Sequence, residues 1–273
     1  MEFNLDECMI RLARETDKPD LTRVARGIWG GSDYLPKVFD RWVREPWFWV
    51  CEYRGRAIAC LKMTRFPDDV LWFEGLRVQV RYQNHGIAKL LNRRSFATAQ
   101  KLREENPNIS YEFATYYLNV ESLHLTQKLG FRVVDKFFSL KKRGVSRSEK
   151  PRILKSIDLA DFHNYPHYIP CAWQSVHNTE DSLGFLKEHG FCFQTPSARY
   201  YFGGLHDPCV TLLEPPATSL RDDLPYLQHF FGSRKSYDLI MPSSFRSSLP
   251  LLHKLGFRVW GDEVVENMLV LRM

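Results

Sequence analysis

The sequence predicts a mixed α/β chain in two halves, and three observations carry that prediction. Leu71–Ala97 reads as a strand, a tight small-residue turn and a helix. Ile109–Val134 reads as a strand, a helix and another strand. The third is an internal repeat. Ser110-Tyr-Glu-Phe returns as Ser236-Tyr-Asp-Leu, and Lys128-Leu-Gly-Phe-Arg-Val returns unchanged at Lys254, both at an offset of 126 residues. Ser122 and Ser248, and Leu125 and Leu251, share that offset without a gap. Gap-free matches at one offset indicate a duplicated unit.

The elements follow in order. Met9-Ile-Arg-Leu-Ala is an alternating strand, Asp17–Trp29 a helix broken by Gly30-Gly31, and Pro36–Val43 a second helix that stops near Pro46. Trp47–Tyr53, Arg54-Gly55 and Arg56–Arg65 spell a hairpin with a glycine turn. In the next strand, simple alternation puts Trp72, Glu74, Leu76 and Val78 on one face. Ile87, Leu90 and Leu91 then recur at helical spacing. Asn119 is placed to cap the helix that ends at Gly130. Charge and serine concentrate at 143–152 and mark a linker, so the expected domains are 1–145 and 151–273. The basic group Lys141-Lys142-Arg143 with Arg147 reads as part of that solvated linker.

Composition narrows the function classes. The chain has 273 residues, 44% of them hydrophobic, and a net charge of +6, which suits a packed soluble protein with a mild positive field. Basic and aromatic residues do not interleave as they do in nucleic-acid binders, so no nucleic-acid partner is expected. No run approaches the roughly 20 apolar residues of a membrane span, and none of the His, Cys, Asp and Glu positions has metal-ligand spacing. Cys8, Cys51, Cys60, Cys171, Cys192 and Cys209 stand singly. Reduced thiols and a cytoplasmic location are therefore expected, in keeping with a start, Met-Glu-Phe-Asn-Leu-Asp-Glu, that lacks the pattern of a signal peptide. Nothing in the sequence specifies an oligomeric state.

The turn Gln83-Asn84-His85-Gly86-Ile87-Ala88 is where chemistry enters. A strand that passes through a tight turn into a helix leaves the first backbone N–H groups of the helix without partners, and the helix dipole adds partial positive charge. Such a place seats a pyrophosphate; an ordinary strand-turn-helix with a chance glycine is the alternative. Gly86 admits close approach and Ala88 keeps the first helical turn slim.

Gln83-x-x-Gly86-x-Ala88, followed by Asn119, Ser122, Leu125, Gly130 and Phe131, resembles the two motifs of the GCN5-related N-acetyltransferase (GNAT) family over roughly residues 9–143. The resemblance implies a mixed, mostly antiparallel central sheet flanked by helices, with the second half a degenerate copy. It implies acetyl-CoA as cofactor, with the pyrophosphate on residues 83–88, the pantetheine along Leu76, Arg77 and Val78, and Asn119 ordering the cofactor's lower arm. It also implies an amine acceptor and a general base. Glu74 is the candidate base, with an interior salt bridge as the competing role. Thr126 stands where many relatives carry the tyrosine that serves the leaving thiolate, a departure that leaves only a weak donor.

Gly27–Pro36 lies where such enzymes place an acceptor loop. There Trp29, Asp33 and Tyr34 could hold an ammonium, or Asp33 could instead cap the following helix. The same stretch, with Glu74–Val78, resembles the histidine N-acetyltransferase branch, which implies a free amino acid as acceptor and an arginine such as Arg77 on its carboxylate. A protein or peptide amine acetyltransferase and a non-catalytic acyl-CoA sensor are the alternatives. The second copy has Phe245 in place of Asn119 and no Gln-x-x-Gly-x-Ala. Walling the acceptor site and purely structural packing are both open roles for it.

Overall fold

The computed structural model describes residues 3–28, 31, 33–144, 147–232, 236–261 and 265–273. Its contacts divide the chain into two compact units, Met1–Glu112 and Phe113–Met273.

The first unit is built from β1 (Cys8–Leu12), α1 (Lys18–Arg26), α2 (Leu35–Trp42), β2 (Phe48–Tyr53), β3 (Arg56–Phe66), β4 (Val70–Val78), α3 (Ile87–Glu105) and the start of β5 (Ser110–Tyr116). The strands follow the order β1-β2-β3-β4-β5. The first three pairings are antiparallel and the last is parallel. The β2–β3 hairpin turns at Arg54 and Gly55, both at positive φ, which keeps its twist matched to the strands. α1 and α2 both carry proline near their starts, where the missing N–H costs nothing. They lay Leu21, Val24, Leu35, Phe39 and Trp42 against Phe48, Val50 and Cys60. α3 buries Ile87, Leu91, Ser95 and Ala99, every fourth residue. It takes the other face of the sheet, where Phe96 stacks on Phe73 at 5.1 Å.

The second unit continues from β5 with α4 (Val120–Lys128), β6 (Arg132–Arg143), β7 (Arg152–Ile153), a separate hairpin β8 (Tyr168–Cys171) and β9 (Gln174–His177), then α5 (Glu180–His189), β10 (Gly190–Gln194), β11 (Arg199–Gly203), β12 (Cys209–Leu212), α6 (Leu220–His229), β13 (Ser236–Pro242), α7 (Leu249–Lys254), β14 (Phe257–Val259) and β15 (Met268–Arg272). Its sheet runs β5-β15-β6-β13-β12-β11-β10-β7, with β14 also on β6. The core gathers Phe138, Leu140, Phe193, Tyr200, Leu239, Leu252 and Phe257.

The repeat seen in the sequence is repeated in topology. β10-β11-β12-β13 pair antiparallel, antiparallel, parallel, as β2-β3-β4-β5 do. β12, α6, β13, α7 and β14 then follow the order of β4, α3, β5, α4 and β6. The turn before α6 differs from its counterpart. It contains Glu214, Pro215 and Pro216, which supply a negative charge and two residues without N–H.

Two expectations change. Lys141, Lys142 and Arg143 belong to β6, opposite Asp238, Tyr237 and Ser236, rather than to a solvated linker. A lysine stem can line an apolar strand while its head finds a carbonyl: Lys142 Nζ donates to the Leu255 carbonyl at 2.7 Å and sits over Phe257. Contacts also tie residues 113–143 to the C-terminal half, because β6 pairs with β13, β14 and β15.

Asn267 is fully buried, and its side chain joins three segments. Its Oδ1 accepts from Ser139 N at 2.7 Å, and its Nδ2 donates to Ser139 O at 2.9 Å and Trp260 O at 2.8 Å. Asn267→Ala strands those backbone groups and should lower unfolding free energy by about 2–4 kcal/mol. Urea denaturation followed by circular dichroism checks this.

Candidate active site

Gly75 sets the geometry of β4. Lys62 pairs with Glu74 and Cys60 with Arg77, so Gly75 and Leu76 together face Leu61 in a β-bulge. Gly75 has φ +68°, and a Cβ there would meet Trp42 ring carbons at 2.6 and 2.7 Å. The extra residue inverts the facing of everything after it. Strict alternation would put Leu76 and Val78 beside Glu74. Instead Trp72, Glu74 and Arg77 share a face with Thr64, Lys62 and Cys60 of β3. The bulge also lies beyond the last rung of the β4–β5 ladder, which consists of Val70–Trp72 against Ser110–Glu112.

α1 and α2 cover this face and line it with paired charge. Thr64 Oγ1 donates to Glu74 Oε1 at 2.6 Å. Arg77 Nε donates to Asp33 Oδ2 at 2.5 Å, Arg77 Nη1 to Leu76 O at 3.0 Å, and the guanidinium lies 5.4 Å from the centre of the Tyr34 ring. Asp33 is buried, and its Oδ1 accepts from Leu35 N at 2.8 Å at the start of α2. Among the described residues, Arg77 Nη2 has no acceptor. Burial pushes the Tyr34 hydroxyl above its ordinary value, with Glu74 and Asp33 adding to the effect and Arg77 opposing it. Burial pushes the Cys60 thiol up to about 12, and this thiol donates to Gly75 O at 3.3 Å. Trp29 lies outside the described residues.

After β4 the chain makes a short turn at Val80–Tyr82 and enters α3 through two left-handed residues, Asn84 at φ +63° and Gly86 at φ +85°. Gln83 Nε2 ties the turn back to Val78 O at 3.2 Å, and the His85 ring lies 2.6 Å from Gln83 O through Nδ1. The Gly86 carbonyl accepts from Lys89 N and Leu90 N. Among the described residues, the backbone N–H groups of Asn84, His85, Gly86, Ile87 and Ala88 have no acceptor in the protein. Five consecutive donors at the positive end of a 19-residue helix fit a diphosphate.

Residues 15–131 match the acetyltransferase (GNAT) family. That segment, 117 of the 273 residues, is what the chain shares with the GNAT family. It is 27% identical over 137 residues to the human protein named Probable N-acetyltransferase 16, a match that covers 49% of this chain and 34% of that relative's length. A GCN5-related N-acetyltransferase structure from Sphaerobacter thermophilus superposes with a TM-score of 0.65 at 13% identity, covering 98% of this chain and 96% of the other. A structure from Pyrococcus horikoshii ascribed to an acetyltransferase gives 0.63 at 11%, covering 100% and 91%. At these identities the likeness is one of fold. GNAT enzymes transfer an acetyl group from acetyl-CoA to an amine.

The GNAT domain's later motif lies in the second unit. Asn119 takes the N-cap position of α4, but its side chain does not cap. With φ −78° and ψ 63° it turns back, and Nδ2 donates to Thr115 Oγ1 at 3.1 Å. Thr126 Oγ1 donates to Ser122 O at 2.7 Å and approaches Leu123 O at 3.2 Å. The helix backbone therefore holds its one proton.

Sequence reasoning missed three residues on the GNAT domain's Glu74 face: Thr64, Lys62 and Cys60. A signal for Lys62 was present, since a lysine in the apolar run Ile58-Ala-Cys-Leu-Lys-Met is out of place unless its charge is held. Gly75→Ala forces a side chain into a left-handed residue and against Trp42. It should destabilise the first unit by about 2–4 kcal/mol and weaken coenzyme A binding. Differential scanning calorimetry and titration calorimetry check the two effects.

Proposed function

We propose that the GNAT domain acetylates the α-amine of a free amino acid, with histidine among its acceptors. The observation that carries this reading is that the five unpartnered N–H groups of residues 84–88 open a helix directly after a strand whose bulge brings Glu74 and Arg77 onto one face. The N–H row would hold the diphosphate of acetyl-CoA, and the backbone of Leu76–Val78 would pair with its pantetheine amides. The bound donor supplies the acetyl group as a thioester.

Glu74 accepts the proton that the acceptor amine must lose, while Thr64 holds one of its oxygens in place. Arg77, fixed by Asp33, offers its remaining nitrogen to the acceptor carboxylate. Asp33 thus acts through Arg77, and the Tyr34 ring walls the same place. Burial raises the thiols of Cys8, Cys51, Cys60, Cys171, Cys192 and Cys209 above their ordinary range. None is poised as a thiolate at neutral pH, which supports direct transfer over an acetyl-cysteine enzyme. With Thr126 bonded to its own helix, the departing thiolate takes its proton from solvent; a thiol pKa of about 8.5 makes it a competent leaving group.

The test is an acceptor screen with acetyl-CoA, read by thiol release, in which L-histidine is compared with histamine, the same side chain without a carboxylate. Turnover of histidine well above histamine is expected. The commitment of Thr126 favours one second reading, a non-catalytic acyl-CoA sensor, and coenzyme A binding without turnover of any amine would establish it. Glu74→Gln should lower kcat by about 10²- to 10⁴-fold and leave coenzyme A affinity unchanged, as measured by steady-state kinetics and titration calorimetry. Gly86→Glu places a carboxylate at the N–H row and should abolish coenzyme A binding while the far-ultraviolet dichroism spectrum is retained.

A further inference from the structure

Lys62 is one of the largest fully buried side chains in the protein, only 1% exposed, and the reading above gives it no task. It stands directly opposite Glu74 in the β3–β4 register, where facing side chains start about 5 Å apart. Each of its three donors has an acceptor: Pro46 O at 2.9 Å, Met63 O at 2.8 Å and Glu45 Oε2 at 3.2 Å. The ammonium is therefore held in one place, in a low-dielectric setting where its field is strong.

We infer that Lys62 is a positioning residue for the reaction: its buried ammonium, fixed by the Pro46 and Met63 carbonyls and by Glu45, keeps the facing Glu74 carboxyl in its ionised, proton-accepting form. This rests on Glu74 being the base. Partial burial of Glu74 on this face would favour a neutral carboxyl, which cannot take a proton from an amine. A cation built into the neighbouring strand opposes that. Among the described residues, the neighbouring elements bring the following charges. β3 brings Lys62, with Thr64 and Cys60 uncharged, and β4 itself brings Arg77, which Asp33 already neutralises. α2 and the turn after it bring Tyr34, Arg41 and Glu45. On β5, Glu112 lies opposite Trp72 and accepts from Ser110 Oγ. α1 carries Lys18, Asp20, Arg23 and Arg26; Lys18 pairs with Asp40 and Arg23 with Asp20 at the surface. α3 packs on the opposite face. Burial pulls the Lys62 ammonium below its ordinary value, and the carboxylates of Glu45 and Glu74 pull it back up. The dependence thus runs both ways across the strand pair.

The test titrates the Glu74 carboxyl carbon by NMR in protein labelled with 13C-glutamate, assigned by its loss in Glu74→Gln, alongside the pH profile of kcat/KM. Lys62→Met should move the Glu74 titration, and the acid limb of the profile with it, to higher pH by about one unit or more. Glu45→Gln removes the carboxylate that neutralises Lys62, lies at a part-exposed turn, and should move both to lower pH. It keeps the inference testable if Lys62→Met does not fold. A Glu74 titration that stays in place in both variants overturns the role of Lys62. A titration that moves while the acid limb does not overturns Glu74 as the base and leaves the electrostatic coupling standing.

Discussion

Trp42 pressed against Gly75 is the contact on which the first unit's site depends. The indole occupies the space that any side chain at position 75 would need, and the left-handed backbone there inserts one extra residue into β4. The bulge falls beyond the last rung of the ladder with β5. Two consequences follow from that insertion. Arg77 is turned to the face of Glu74, within reach of Asp33. The chain then leaves β4 in a direction that lets Gln83 tie the turn back to Val78 and start α3 at Gly86. Trp42 is itself set by its edge contacts with Tyr34 and Phe48, so α2 and the base of the sheet fix the bulge together.

The charges around this point are arranged in short chains. Glu45, Lys62 and the backbone carbonyls form one, and the start of α2, Asp33 and Arg77 form another. In a buried setting each such charge is costly unless its neighbour is present, and removing one member leaves the next uncompensated. That makes the arrangement a poor source of stability and a good specifier of position. Glu74 sits beside one chain and Arg77 ends the other, so the residues proposed to meet the acceptor are held by neighbours rather than by their own packing.

Local rules made part of this legible in the sequence. The Arg54-Gly55 hairpin, the helices begun with Pro19 and Pro36, and the Gly86 entry to α3 follow from backbone preferences that act over a few residues. The turn with its row of free N–H groups belongs to that class. The facing of Arg77 does not. It depends on counting one extra residue at a position where alternation looks unbroken, and only the partner strand reveals the count. Lys62 was hidden for a related reason, because its significance comes from Glu74 across the ladder. Asn119 has the right residue type for a cap, yet Thr115 competes for its side chain and wins. The basic group at 141–143 looked like linker because composition alone cannot tell a solvated charge from a lysine stem laid along a strand.

The second copy of the strand-helix-strand pattern bears on how much of this protein a sequence comparison can see. Its turn before α6 carries Glu214 and two prolines where the first copy has a row of free amides. An apolar periodicity that builds a core is a constraint that a great many sequences satisfy. The family match ends at residue 131, while superposition on the Sphaerobacter structure spans 98% of the chain. A fold can thus extend over a whole chain at 13% identity while a recognisable spelling covers residues 15–131 alone.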